Sequence, residues 1–555
     1  MNKVTNINLE RIVDSLYHLC KPSLINLFRS SVLKAGLLKE IEEITDPNAI
    51  YPFIPLMFAK NRMVSKLANE KVHALLHQVP LHLLSKIDEK IRNSTFSKHY
   101  NQLSEYWYNL KPSIVDSYRG HSTEFVVILK SLCCHPNGYI RYKAIKTLAE
   151  NSIEEAIPFL IIRANDWVEE IRILCFTTLN RLVSKELIDH FIESLPLLKQ
   201  LEIKTRKEHL LDRLELIRKI ESLLATQCSD ALFKKINSQE IIIARYAFAI
   251  LAKADSKIEQ LLTVTLNNRD IVIKVNAFNL AHNQYDSDQF LIYLNKIKDD
   301  KLMPIRKKAL YAFIERYPNQ AKGILEQALF DRSRSIRHLS RYYLKQLGIS
   351  EFSNYYRDAI NRQDKPIKLA ILGLSESGNK DDFRSIQPLI SKNISQLNAA
   401  IINAAFKMQP KGWKSMITDL LSNPDQASLK SFANCLLEYQ DSYTFEEILE
   451  LVYKRNSLMH IRYFIRLLSN GYYDRWMVLN VILGELTLIT DPNIKVLFEQ
   501  YLHTWIHHNC PNKIFIRPCH ENSNTCLDKA SNLLKHNPTN SLYKELLENI
   551  KCFIN

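Results

Sequence analysis

The chain has 555 residues, with hydrophobic side chains at 46% but only 10 Gly and 19 Pro. That glycine content is far below the usual share of roughly 7%, and so few residues able to take positive φ exclude most β-rich, dinucleotide-fold and loop-rich enzyme architectures. A long all-helical protein with a large core remains, and its 74 Lys+Arg against 59 Asp+Glu, net +15, admit acidic partners. At the start, MNKVTNINLERIVDSLYHLC places Glu10 and Asp14 where a secretory leader needs an apolar run, so none is expected. Residues 1–120 read as helical but irregular, with an aromatic cluster at Tyr100, Tyr106, Trp107, Tyr108 and Tyr118.

From there a period emerges. The units GYIRYKAIKTLAE from Gly138, EEIRILCFTTLNRL from Glu169, MPIRKKALYAFIER from Met303 and RSIRHLSRYYLKQL from Arg334 share one register. An apolar anchor recurs at Val64, Ile140, Ile171, Ile243, Ile273, Ile305, Ile336, Ile367, Leu397, Leu429, Ile461 and Ile494. From Ile243 onward the interval between anchors stays close to one value, about 31 residues, within the range of helix-pair repeats. The wider gaps, from Val64 to Ile140 and from Ile171 to Ile243, are each about two periods and imply two degenerate units.

The residue after the anchor is basic in nine of twelve units: Arg141, Arg172, Lys274, Arg306, Arg337, Lys368, Lys430, Arg462 and Lys495. Ser65, Ala244 and Asn398 break the rule. Three positions further a small side chain is usual (Ala144, Cys175, Ala247, Ala277, Ala309, Ser340, Ala433), and seven further an apolar one. Offsets of three and seven make one helical stripe, so this segment is expected to be the inward-packed second helix of a helix pair. A turn bearing Asp, Asn or Pro precedes it, as at Asn165-Asp166 and Asp331.

A helix pair recurring in this register, with Asp in the turn and hydrophobic-Arg opening the second helix, resembles the HEAT repeat, most closely the short bacterial HEAT-like variety. The resemblance spans about Val64 to Leu502. It implies an all-α, right-handed α-solenoid of roughly 14 HEAT-like helix pairs with irregular helical caps. The expected organisation is an N-terminal cap with first degenerate repeats (1–120), the array (121–505, atypical at about 187–235) and a C-terminal cap (506–555). The resemblance also implies that the basic slot residues form a structural ladder with turn aspartates, and that a macromolecular partner, foremost a protein, binds the concave surface.

Charge outside the slots points to one region. Residues 301–350 hold 11 Lys/Arg against 3 Asp/Glu, and residues 51–100 hold 8 against 3. Lys307, Lys308, Arg334, Arg341 and Lys345 are expected off the core stripe, interleaved with Tyr342 and Tyr343, as a partner-binding surface. The alternative reading is a nucleic-acid surface over 301–368, where cations meet phosphates and aromatics stack on bases. A remoter one is a base-modifying enzyme of the HEAT-like DNA glycosylase type, to which Asp166-Trp167 is superficially similar; no catalytic residue is assigned.

Other chemistry is sparse. Gly373-Leu374-Ser375-Glu376-Ser377-Gly378-Asn379-Lys380 has the glycine spacing of a phosphate-binding loop but not its Lys-Ser/Thr ending. His507, His508, Cys510, Cys519, His520 and Cys526 cluster in one short segment but lack paired CxxC spacing, so no metal and no cofactor is expected; Cys510, Cys519, His520 and Cys526 are the only weak ligand candidates. Ten scattered cysteines without CxxC pairs suit reduced thiols and a cytoplasmic location. The longest stretches free of Asp, Glu, Lys and Arg run from Val72 to Ser85 and from Asn393 to Phe406. Both fall short of the roughly 20 residues that span a bilayer, so no membrane span is expected. No small-molecule substrate is indicated.

Overall fold

The computed structural model describes residues 6–19, 39–93, 106–118, 122–151, 153–184, 186–203, 210–363, 365–391, 394–439, 442–454, 457–469, 473–509 and 520–554. Every regular element among them is helical, and no helix is long and apolar enough to cross a membrane. The chain divides into two compact units, Met1–Ile305 and Arg306–Asn555.

In the first unit the helix pairs follow the sequence period: Ser122–Leu132 with α1 (Gly138–Asn151), Ile153–Arg163 with α2 (Glu169–Leu182), Ser229–Lys235 with Ile241–Leu251, and Ile258–Thr265 with Ile271–Gln284. The atypical stretch holds Ile188–Glu193, Leu195–Ile203 and the 18-residue helix Leu210–Gln227. The second unit begins inside the helix Met303–Arg316. It then pairs Pro318–Ala328 with α3 (Arg334–Gln346), and Phe352–Arg362 with α4 (Ile367–Ser377). The short Gln387–Ser391 precedes α5 (Ser395–Met408), Trp413–Leu420 pairs with α6 (Gln426–Glu438), and α7 (Pro492–Asn509) follows Arg475–Leu486.

Two of the second helices, Ile271–Gln284 and α6, start at an aspartate whose side chain caps them. Asp270 accepts from the backbone N–H of Val272 and Ile273 at 2.8 and 3.0 Å, and Asp425 accepts from that of Ser428 at 2.7 Å. Each such cap contributes about 1 kcal/mol by occupying amides that have no partner within the helix. The small side chains of the repeat, Ala144, Cys175, Ala247, Ala277, Ala309, Ser340 and Ala433, are all fully buried, which lets neighbouring helices approach closely. Before the regular pairs, Trp107 is fully buried against His135 (ring centroids 4.4 Å), and its carbonyl oxygen lies 2.9 Å from His135 Nε2.

Ion pairs tie one repeat to the next. Arg141 binds Asp166 of the following turn through two nitrogens at 3.0 and 2.8 Å, and its third reaches back to the carbonyls of His135 and Pro136 at 2.8 and 2.7 Å. Arg306 binds Asp331 in the same way at 2.7 and 2.8 Å, and Lys274 pairs with Asp300. Arg172 donates to the carbonyls of Asp166 and Trp167 in its own turn at 2.8 and 3.0 Å. The aspartates serve twice: Asp166 also accepts from the Val168 amide at 3.0 Å, and Asp331 from that of Ser333 at 2.6 Å.

The ladder of slot cations and turn aspartates expected along the whole array needs correction: Arg172 bonds carbonyls of its own turn, Arg337 pairs with Glu376 of a later helix, and the slots after it differ again. Lys368, Lys430 and Arg462 are exposed, with no ion pair among the described residues, and Lys495 is half-buried with its ammonium 6.0 Å from the Tyr543 ring centre. The reason lies in the sequence. The pairs above join a cation to an Asp 25 or 26 residues on, whereas that position after Lys368, Lys430, Arg462 and Lys495 is Asn393, Arg455, Thr487 and His520. Where Ala244 fills the slot, its neighbour Arg245 makes the bond to Asp270, at 2.9 Å.

Candidate functional site

In the second unit, α3 carries Arg334, Arg337 and Arg341, spaced so that they share one face of the helix. These cations address the C-terminal ends of later helices. Arg337 Nε donates to Glu376 Oε2 at 3.1 Å, a second nitrogen binds Oε1, and a third donates to the Asp331 carbonyl at 2.6 Å. Arg341 donates to the same Oε2 at 2.9 Å and to the Tyr356 hydroxyl at 3.1 Å; that hydroxyl in turn donates to the Leu329 carbonyl at 3.1 Å. Glu376 sits in the last turn of α4, and Glu438, the last residue of α6, lies 3.9 Å from an Arg334 nitrogen. Cations near helix C-termini also offset the partial negative charge there.

Burial alone would raise the Glu376 carboxyl, but the hydrogen bonds and charges of Arg337 and Arg341 outweigh it and hold the group below the ordinary glutamate range. Replacing Glu376 with Gln keeps an acceptor for one arginine and leaves the other short of a partner, so a loss of roughly 1–3 kcal/mol is expected. Chemical denaturation of parent and Glu376→Gln would measure it. Because the folded value is depressed, the stabilisation is complete above about pH 4.3 and fades as pH falls through the folded value, so the difference between the two proteins should shrink in acid.

Lys407, in the last turn of α5, completes the cluster. It is half-buried and makes no ion pair among the described residues; burial first, and then the charge of Arg334, pull its ammonium down. Four cations, Arg334, Arg337, Arg341 and Lys407, thus face two carboxylates, Glu376 and Glu438, and the surplus positive charge belongs to Lys407 and to the exposed Arg334, which Glu438 approaches only at 3.9 Å. Beside them opens a groove of about 800 Å³ lined by Gln409, Trp413, Lys414, Leu437, Glu438, Tyr439 and Ser442. Its turn is set by Gln409 (φ 46°) and Gly412 (φ 74°), both left-handed, which end one helix and start the next within four residues. Lys414 is already engaged, 3.2 Å from a Glu447 oxygen and 4.8 Å above the Tyr443 ring.

The sequence-predicted surface is only partly assembled. Arg334, Tyr342 and Lys345 are exposed, while Lys307 and Lys308 are half-buried, with Lys307 Nζ 5.8 Å from the Tyr311 ring centre. Tyr311 and Tyr342 both pack edge-on against Tyr343, at 6.3 and 5.2 Å. Arg341 is a correction: it lies buried, because the α3 face that it shares with Arg337 turns toward Glu376. Lys407, Trp413 and Tyr439 were not singled out from sequence. The repeat register holds a signal for the first, since Lys407 ends its second helix where Glu376 and Glu438 end theirs.

Elsewhere, Asp166 is fully buried with both oxygens taken by Arg141 and Arg163, while Trp167 stands exposed. Of the weak metal candidates, Cys510 and Cys519 lie outside the described residues, as does the side chain of His520. Cys526 is buried 3.6 Å from the Trp476 carbonyl, and burial pushes its thiol up to about 12.

Helix pairs in one register, some capped by turn aspartates and partly tied by Arg–Asp bonds, make this an all-α protein of repeated helix pairs, the fold that the resemblance to the HEAT repeat implies. No protein-family model and no curated protein matches the chain. Among solved structures it is similar to that of Kap95p with RanGDP at 10% identity, covering 80% of this chain and 66% of that one, with a TM-score of 0.34. It is also similar to a Kap121p mutant at 10% identity (99% and 78% covered, TM-score 0.27) and to an engineered protein at 14% identity (99% and 99% covered, TM-score 0.15).

Proposed function

We propose that this protein is a non-enzymatic repeat scaffold, and that its second unit docks an acidic segment of a protein partner over Arg334 and Lys407, with an apolar residue of that segment in the groove at Trp413 and Tyr439. The observation that carries this reading is Lys407: a half-buried ammonium, without an ion pair among the described residues, next to a second cation and an aromatic groove. A carboxylate brought there gains two charge-assisted partners at a site already partly desolvated. A peptide also supplies the apolar side chain that the groove fits, which a phosphate backbone alone does not.

The test compares the full chain with the double variant Arg334→Glu/Lys407→Glu and with a control in the first unit, Lys146→Glu. Fluorescence anisotropy would follow labelled peptides of Asp and Glu around a central Leu or Phe, and a single-stranded oligonucleotide of equal charge. Peptide binding should weaken at least tenfold in the double variant and hold in the control. Indifference of peptide binding to the reversal would sink the proposal. Tighter, steeply salt-dependent binding of the oligonucleotide that the double variant loses would replace it with nucleic-acid binding.

A further inference from the structure

Helix α7 carries the sequence His503-Thr504-Trp505-Ile506-His507, which sets two imidazoles one turn apart on a single face. Trp505 and Ile506 are buried, and Trp505 packs edge-on against Trp476 at 5.3 Å, so the rotation of the helix about its axis is fixed. His503 and His507 therefore point outward together. Both are exposed, their ring centroids are 4.1 Å apart, and Nε2 of one lies 3.0 Å from Nε2 of the other.

Two ring nitrogens aimed at each other have one internal solution, in which one carries the proton and the other accepts it. A metal ion is the second. Zinc bound at 2.0–2.1 Å to two imidazoles at a tetrahedral angle holds their nitrogens about 3.3 Å apart, so small ring rotations convert one arrangement into the other. The helix has already fixed both ligands, and little ordering remains to oppose binding.

We infer that His503 and His507 form a two-imidazole site for a late first-row divalent cation of the zinc class. Neutral nitrogen donors select such ions over magnesium or calcium, which need oxygen. Water or an external ligand fills the remaining positions. Cys526 does not contribute, being buried against the Trp476 carbonyl. The other histidine pair one turn apart, His73 and His77, has rings 4.6 Å apart and edge-on beside the Lys130–Glu155 ion pair, and it serves as the control.

Zinc titration of the full chain by calorimetry tests the site. The parent should bind one zinc equivalent more than His503→Ala and than His507→Gln, while His73→Ala/His77→Ala keeps that equivalent. Zinc should also raise the melting temperature of the parent but not of the two α7 variants, whose melting without zinc should match the parent because both positions are exposed. Equal zinc stoichiometry in the parent and both α7 variants would overturn the assignment, and so would loss of the equivalent from the His73/His77 variant alone.

Discussion

Asp166→Ala should destabilise the first unit by roughly 3–5 kcal/mol, the cost of breaking a buried ion pair from one side. Asp166 and Arg141 are both fully buried as side chains, and Arg163, also buried, shares the same carboxylate while pairing with Asp88. Removing the carboxylate leaves Arg141 with carbonyl partners alone and Arg163 with Asp88 alone, and it also takes the acceptor from the Val168 amide. Arg245→Ala, which releases the more exposed Asp270 pair, should cost no more than about 1 kcal/mol. Urea denaturation monitored by circular dichroism would rank the two, and equal midpoints would remove the structural role assigned to the buried bonds. The sign with pH follows from the carboxyl. Burial would raise it, but the Arg141 hydrogen bond and the charges of Arg163 and Arg141 outweigh that and hold it below the ordinary aspartate range. Its stabilisation is therefore complete above about pH 3.9 and is lost as pH falls through the depressed folded value, so parent and Asp166→Ala should converge in acid.

The period was legible because helix pairs demand an apolar anchor in every unit, and most units add a small residue three positions past the basic slot, where neighbouring helices pack closely. The ladder was legible only in part. A basic residue after the anchor is half of a pair, and the missing half was readable as an Asp 25 or 26 residues further on, present after Arg141, Lys274 and Arg306 and absent after Lys368, Lys430 and Arg462. The division after Ile305 has no counterpart in the register, which runs through it with its spacing unchanged from Ile305 to Ile336. At the candidate site the failure was one of counting. A net charge of +8 over residues 301–350, from 11 cations against 3 acids, pointed to a broad basic surface. Glu376, outside that window, takes Arg337 and Arg341, and Lys407, a half-buried lysine without an ion pair among the described residues, lies two repeats beyond Lys345. Sequence windows sum charge along the chain, whereas a helical array brings together the ends of helices far apart in it.

Gly373→Ala should destabilise the second unit by roughly 3 kcal/mol, the upper end of what overpacking usually costs. A Cβ at this position would stand 2.1, 2.4 and 2.6 Å from three ring atoms of Tyr356. The ring cannot easily withdraw. Tyr356 is fully buried, packs edge-on against Phe330 at 5.4 Å, and its hydroxyl is held between the Leu329 carbonyl and Arg341. The glycine that sequence spacing set beside a phosphate-binding loop thus sits in the middle of α4 because a tyrosine from the preceding helix crosses its backbone. The expected loss also reaches the candidate site, since displacing Tyr356 frees Arg341 and weakens its hold on Glu376. Substituting Tyr356→Leu in the Gly373→Ala background removes the ring that the new methyl strikes, so the double variant should be more stable than the sum of the two single losses predicts, by at least about 1 kcal/mol for residues in direct contact. Additive losses would mean that the cost arises within the helix rather than at Tyr356. A Gly373→Ala protein as stable as the parent would show that this approach of ring to backbone does not exist in solution.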